Sequence, residues 1–240
     1  MKRILVPFLL ASAALTPALA ETMATPPSAA PAPKRLEYLN PADFEPVRLL
    51  QAPPAKGSPA EARELATLHA LIASASAERI AQAKWDADHE DPSIFNDVIG
   101  RDLTKLPHTW ALLSIIDREA GIAAGFSKAY FNRMRPWGVD GTIPNCEGPS
   151  NKAPFKSYPS GHSTLGYAVG YALAQLAPAK AAAVLNKAED YALSREYCGV
   201  HFATDTAASQ VVGTVAAVRL LGDPRLAAEV AAARAELSSN

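Results

Sequence analysis

From Ser58 to Leu237 the apolar residues recur at helical spacing, and no stretch sustains the period-two alternation of a half-buried strand. Ser58-Pro59-Ala60-Glu61 is a capping box with proline at the first helical position, which predicts a helix to about Asp86 with Leu65, Leu68, Ile72 and Ile80 near one face. Asp91-Pro92 opens a short helix through Ile94, Phe95 and Val98 that Gly100 ends. From Pro107 the pattern runs through Trp110, Leu113 and Ile116 and, past Gly121, through Phe126, Tyr130 and Phe131 until Pro136 stops it. Residues 137–160 read as a long loop. Helices then resume over Gly161–Leu176, Pro178 to about Tyr197, Phe202–Leu221, and from Pro224, capped by Asp223, to Leu237. The alanine-rich runs 179–183 and 227–233 suggest close helix packing. The expected fold class is all-α, a single-domain helical bundle.

The N-terminus follows a different pattern. Lys2 and Arg3, an apolar run from Ile4 to about Leu15, and Ala18-Leu19-Ala20 read as a signal peptide over residues 1–20, with cleavage near Ala20 and a periplasmic or secreted product. Eleven of the 20 prolines fall in the first 60 positions, so residues 21–57 read as a Pro/Ala-rich leader and extended segment. Leu36, Tyr38, Phe44 and Leu49 would lay the later part on the domain, residues 58–240. The longest apolar run after the signal, Leu165–Ala179, is too short to span a bilayer. Removing Lys2 and Arg3 leaves 21 basic residues against 24 acidic, a net charge of −3, which argues against a nucleic-acid partner. The two cysteines, Cys146 and Cys198, are expected to form a disulfide in an exported chain, the alternative being two buried thiols.

Three short blocks carry candidate chemistry. His201 and Asp205 are four apart; on a shared helical face the carboxylate would accept the Nδ1 proton and leave Nε2 available, and Arg195 adds a fixed planar cation upstream. Alone, such a pair is more often a solvated surface pair. Lys128 and Arg135 are seven apart, two turns, so their heads would point the same way with Arg135 at the helix terminus. Pro159-Ser160-Gly161-His162 sits where loop becomes helix, and the free N–H groups there favour an oxyanion. Ser160 as an ordinary N-cap is the plainer reading.

Together, Lys128-(six)-Arg135-Pro136, Pro159-Ser160-Gly161-His162 and Ser194-Arg195-(five)-His201-(three)-Asp205 resemble the three-part pattern of the type 2 phosphatidic-acid-phosphatase-like (PAP2) superfamily, which includes vanadium haloperoxidases. The signal peptide, the size and the cysteine placement look like its class A bacterial non-specific acid phosphatases. That resemblance implies an acid phosphatase hydrolysing small-molecule phosphate monoesters with broad specificity through a phosphohistidine. His201 would be the nucleophile, Asp205 its orienting partner and His162 the acid and then base. Lys128, Arg135, Ser160, Gly161 and Arg195 would bind the phosphate oxygens. Because Arg195 would lie about 120° round from His201 in an unbroken helix, Gly199 must end that helix.

Two histidines with opposite protonation needs predict a bell-shaped pH profile. Three cations leave no room for a divalent ion, so neither metal nor cofactor is expected. Rival readings are a vanadium-dependent haloperoxidase-like enzyme, a phosphatase of lipids or diphosphates, and a non-catalytic anion-binding module. Homo-oligomerisation is left open. His69, His89 and His108 read as surface or satisfied packing residues, Glu90-Asp91 as a helix start, Trp85, Trp110 and Tyr130 as core, and Trp137 as either core or substrate contact.

Overall fold

The computed structural model describes residues 35–148 and 153–239. The expected signal peptide and the expected leader up to residue 34 lie outside the described residues. The main helices are α1 Pro59–Ala73, α2 Ala77–Asp88, α3 Pro107–Phe131, α4 Gly161–Leu176, α5 Ala181–Tyr197, α6 Ala203–Leu221 and α7 Ala227–Ser238, with single turns between them and no strand among the described residues. The fold is all-α.

The first predicted helix is two. α1 stops at Ser74, and Ser76 caps a new start by accepting the Arg79 N–H at 3.2 Å, because a serine hydroxyl competes for the backbone at a helix end. At the start of α1, Ser58 Oγ accepts from Glu61 N at 3.2 Å and Glu61 accepts from Gly57 N at 2.6 Å. α3 runs unbroken through Gly121 and ends at Phe131, where Asn132 turns left-handed with φ 45°, well before Pro136. Arg135 is therefore outside the helix, in extended backbone ahead of a single turn Pro136–Val139. Two helical turns do not connect it to Lys128.

α4 is the central helix, packed against α3, α5 and α6, with Leu165, Ala168, Val169, Ala172 and Leu173 buried. Gly213 of α6 allows the closest approach: a β-carbon there would meet Thr164 O of α4 at 2.7 Å. The alanine runs do not serve this packing. Ala179, Ala182 and Ala183 are exposed, and of 227–233 only Val230 and Ala233 are buried, so high helix propensity explains the alanines better than contact does.

Residues 36–50 lie on this bundle, with Leu39, Phe44 and Leu50 buried in its core cluster. Their backbone is held from below. The buried carboxylate of Glu119 on α3 accepts the N–H groups of Glu37, Tyr38 and Leu39 at 3.0–3.1 Å.

Candidate active site

His201 is buried just ahead of α6, and Asp205 occupies the third position of that helix. His201 Nδ1 faces Asp205 Oδ2 at 3.3 Å, and Nε2 faces Arg135 Nη1 at 3.1 Å. A carboxylate only accepts and a guanidinium only donates, so Nδ1 carries the proton and Nε2 presents its lone pair. Burial, followed by the charges of Arg135, Lys128, Arg195 and His162, holds the His201 protonation well below the ordinary 6.5. The ring is neutral. Asp205 in turn accepts from Phe202 N at 2.9 Å, Ser157 Oγ at 2.5 Å and Arg133 Nη1 at 2.7 Å.

The three cations reach this ring from different elements. Lys128, in the last turn of α3, donates to the carbonyls of Lys156 (2.9 Å) and Pro159. Burial and then the Arg135 charge push its ammonium down to about 7. Arg135 donates to Ala153 O at 3.3 Å and Val200 O at 3.1 Å, which aims it at His201. Arg195, buried in the last turn of α5, is pushed down to about 9 by burial and then by Arg135. Its Nη2 pairs with Glu147, while Nε and Nη1 are buried with no hydrogen-bond partner among the described residues. Such orphaned donors are costly unless an acceptor joins them. Arg195 reaches the site because α5 stops at Tyr197. Gly199 then turns the chain at φ 68°, where any β-carbon would collide with the Pro144 carbonyl. The Cys146–Cys198 disulfide, across 52 residues, ties the Glu147 loop to this turn.

Ser160 is buried and caps α4, its Oγ accepting from Ser163 N at 3.3 Å. At Gly161 a β-carbon would lie 3.4 Å from Glu90 Oε1 and 4.0 Å from Lys128 Cε, so this backbone is the bare floor of the cluster. His162 Nδ1 pairs with Glu90 Oε1 at 3.1 Å, and Nε2 faces Ala87 O at 3.1 Å. Burial would raise the Glu90 carboxyl, but the His162 hydrogen bond and the charges of His162, Arg195 and Lys128 leave it lowered. A cavity of about 590 Å³ opens here, walled by Glu90, Gly161 and residues Gly121, Gly125 and Phe126 of α3.

All eight residues picked out by pattern for catalysis and phosphate binding thus gather around the start of α4. The pattern misses Arg133, Glu64, Ser157, Glu90 and Glu147. Arg133 links Asp205 to Glu64 of α1 at 2.5 Å and to Thr204 at 2.7 Å, a buried network that no local spacing announces. Asp91 is a helix start, accepting from Ser93 N at 2.7 Å, whereas Glu90 belongs to the site. Trp85 and Tyr130 are not core: they are 45% and 59% exposed, Trp85 stacking on His89. Trp110 is partly buried against the core, and Trp137 packs beside Ile143 and Phe202. His69 pairs with Asp140 at 2.9 Å and His108 with Glu229 at 3.0 Å.

Residues 107–225 match the PAP2 superfamily. An acid phosphatase of Zymomonas mobilis is 32% identical over 200 residues, covering 80% of this chain and 75% of the relative. A non-specific acid phosphatase of Salmonella typhimurium is 29% identical, covering 79% and 78%, and one of Providencia stuartii is 27% identical, covering 85% of each. The chain belongs to the PAP2 superfamily. Its fold is also that of a transmembrane PAP2-type phosphatidylglycerolphosphate phosphatase from Bacillus subtilis. The two superpose with a TM-score of 0.52 at 20% identity, covering 69% of this chain and 87% of the other. Among the described residues no helix is long and apolar enough to cross a membrane.

Proposed function

We propose that this PAP2 phosphatase hydrolyses small phosphate monoesters of broad range through a phosphohistidine on His201, in the periplasm or outside the cell. The observation that carries the reading is a neutral buried imidazole, facing Asp205 at Nδ1, whose Nε2 lone pair faces Arg135 within the electrostatic reach of Lys128 and Arg195. The His201 lone pair forms the N–P bond while the P–O ester bond breaks, and the leaving oxygen takes a proton from His162. Water then attacks phosphorus and gives a proton back to His162, and N–P cleavage returns neutral His201 and inorganic phosphate.

Lys128, Arg135, Arg195, the Gly161 N–H and the Ser160 hydroxyl bind the equatorial oxygens, where charge spreads in the transition state. The two orphaned donors of Arg195 supply free valences for that anion. Asp205 stabilises the positive ring of the intermediate. Three protein cations meet the charge that a metal would otherwise neutralise, so turnover is expected to survive EDTA. Breadth of substrate follows from a site built around the phosphoryl group and agrees with the names of the Salmonella and Providencia relatives. Export rests on the pattern of residues 1–20, including Ala18-Leu19-Ala20.

The test is to quench the enzyme during turnover of ³²P-labelled substrate and locate the label. Acid-labile, base-stable label on His201, with His201→Ala losing at least about 10⁴-fold in p-nitrophenyl phosphate turnover, supports the reading. Label elsewhere, or an active His201→Ala enzyme, overturns it.

A further inference from the structure

Glu90 lies two residues beyond α2, outside all three sequence blocks, yet its carboxylate contacts one histidine of the site directly. His162 presents Nδ1 to Glu90 Oε1 at 3.1 Å and Nε2 to the Ala87 carbonyl at 3.1 Å. Both partners accept only, so the geometry is that of a ring donating from both nitrogens, the proton-loaded form. Ala87 and Glu90 belong to one short stretch at the end of α2 and together grip the ring edge on. Tyr191 lies against its face, with ring centroids 6.1 Å apart. The two contacts differ in kind. Ala87 offers a neutral carbonyl that a substrate oxygen can replace, while Glu90 offers a charge that opposes loss of the ring proton.

We infer that Glu90 is the positioning residue of the acid step: it holds His162 by Nδ1, keeps the ring loaded, and so commits the Nε2 proton to the leaving oxygen. This rests on the proposed role of His162. Glu90 also stands where such a residue is needed, since its carboxylate, with Gly161, borders the cavity of about 590 Å³ into which an ester's organic part can extend. As the P–O bond breaks, the Nε2 proton passes to the ester oxygen, the ring becomes neutral with Nδ1–H still donated to Glu90, and no further reactant is required.

A residue that serves proton donation has a signature that one serving folding or phosphate binding lacks. A good leaving group such as p-nitrophenolate departs with little help, whereas an alkoxide needs the proton. The experiment compares kcat/KM, which reports the first phosphoryl transfer, for p-nitrophenyl phosphate and ethyl phosphate in the intact enzyme and in Glu90→Gln. The amide keeps the shape and an accepting oxygen but removes the charge. We expect kcat/KM for ethyl phosphate to fall about tenfold or more while that for p-nitrophenyl phosphate stays within about twofold. Glu90→Ala, which removes the acceptor altogether, should deepen the same selective loss.

Equal losses for both esters would reduce Glu90 to a structural or binding role and overturn the inference, as would no loss for either. The phosphatase reading fails by a separate route, through an active His201→Ala enzyme or an unmodified His201, so the two outcomes stay distinguishable.

Discussion

Arg133 and Asp205 form a buried ion pair at 2.7 Å, and this pair holds one oxygen of the carboxylate whose other oxygen faces His201 Nδ1. The guanidinium's other arm reaches Glu64 of α1, and its face covers the Phe202 ring at 4.0 Å. Removing one partner of such a pair leaves a desolvated charge. Arg133→Gln should lower stability by about 3–5 kcal/mol and reduce kcat at temperatures where the protein remains folded. Thermal denaturation and steady-state kinetics check this, and an unchanged melting temperature would contradict it.

The cations should set the alkaline side of phosphate binding. Lys128 is depressed to about 7 in the free enzyme, so it loses its charge as pH rises through that value, and binding of a phosphate anion weakens. A bound anion opposes the loss, so it appears in KM and in the inhibition constant of inorganic phosphate more than in kcat. Above pH 7 that constant should rise by up to about tenfold per pH unit. Lys128→Arg should flatten the rise.

On the acid side the sign is opposite. As the proposed nucleophile, His201 must be neutral, and its protonation is held well below 6.5, so kcat/KM should stay high through mildly acid pH and fall only below that range. A pH profile of kcat/KM whose acid limb lies above 6.5 would contradict the environment described for this ring.

If Arg195 binds phosphate as proposed, Glu147 should compete with the anion for it. Its carboxylate occupies one arm of Arg195, whose other two nitrogens have no hydrogen-bond partner among the described residues. Glu147→Gln removes a negative charge from beside Arg195, so inorganic phosphate should inhibit several-fold more tightly, while the buried guanidinium left without its partner should make the phosphate-free fold less stable. Titration of wild type and variant with phosphate measures it.

The disulfide holds that competitor in place. Replacing Cys146 and Cys198 by serine should cost about 4 kcal/mol on the chain-entropy account. It should also loosen the Glu147 loop, so the variant should bind phosphate more like Glu147→Gln than like wild type. Denaturant unfolding and phosphate inhibition test the two parts separately.

The candidate site residues were legible because three blocks, each with a commoner structural use when taken alone, together resemble one family pattern. The need for a break at Gly199 followed from helix geometry once the resemblance placed Arg195 and His201 at one site, and the left-handed turn there meets it. The route of Arg135 was not legible. Proline at 136 signals the latest position at which a helix can end, and Asn132 ends α3 four residues sooner through a left-handed cap. Trp85 and Tyr130 were misassigned because helical spacing places an aromatic ring on a helix without saying which face looks outward. Arg133, Ser157, Glu64 and Glu90 were invisible for a further reason. Each acts through a partner about 48 to 140 residues distant, as Thr204 does to Glu64 and Ser157 to Asp205, and no local rule reaches that far.

Glu119 grips Glu37, Tyr38 and Leu39 by their amide hydrogens and ignores what those residues are. Anchorage of this kind is blind to side chains. Of the twenty amino acids only proline, which brings no amide hydrogen, lacks the group this carboxylate holds, whatever the side chain does elsewhere.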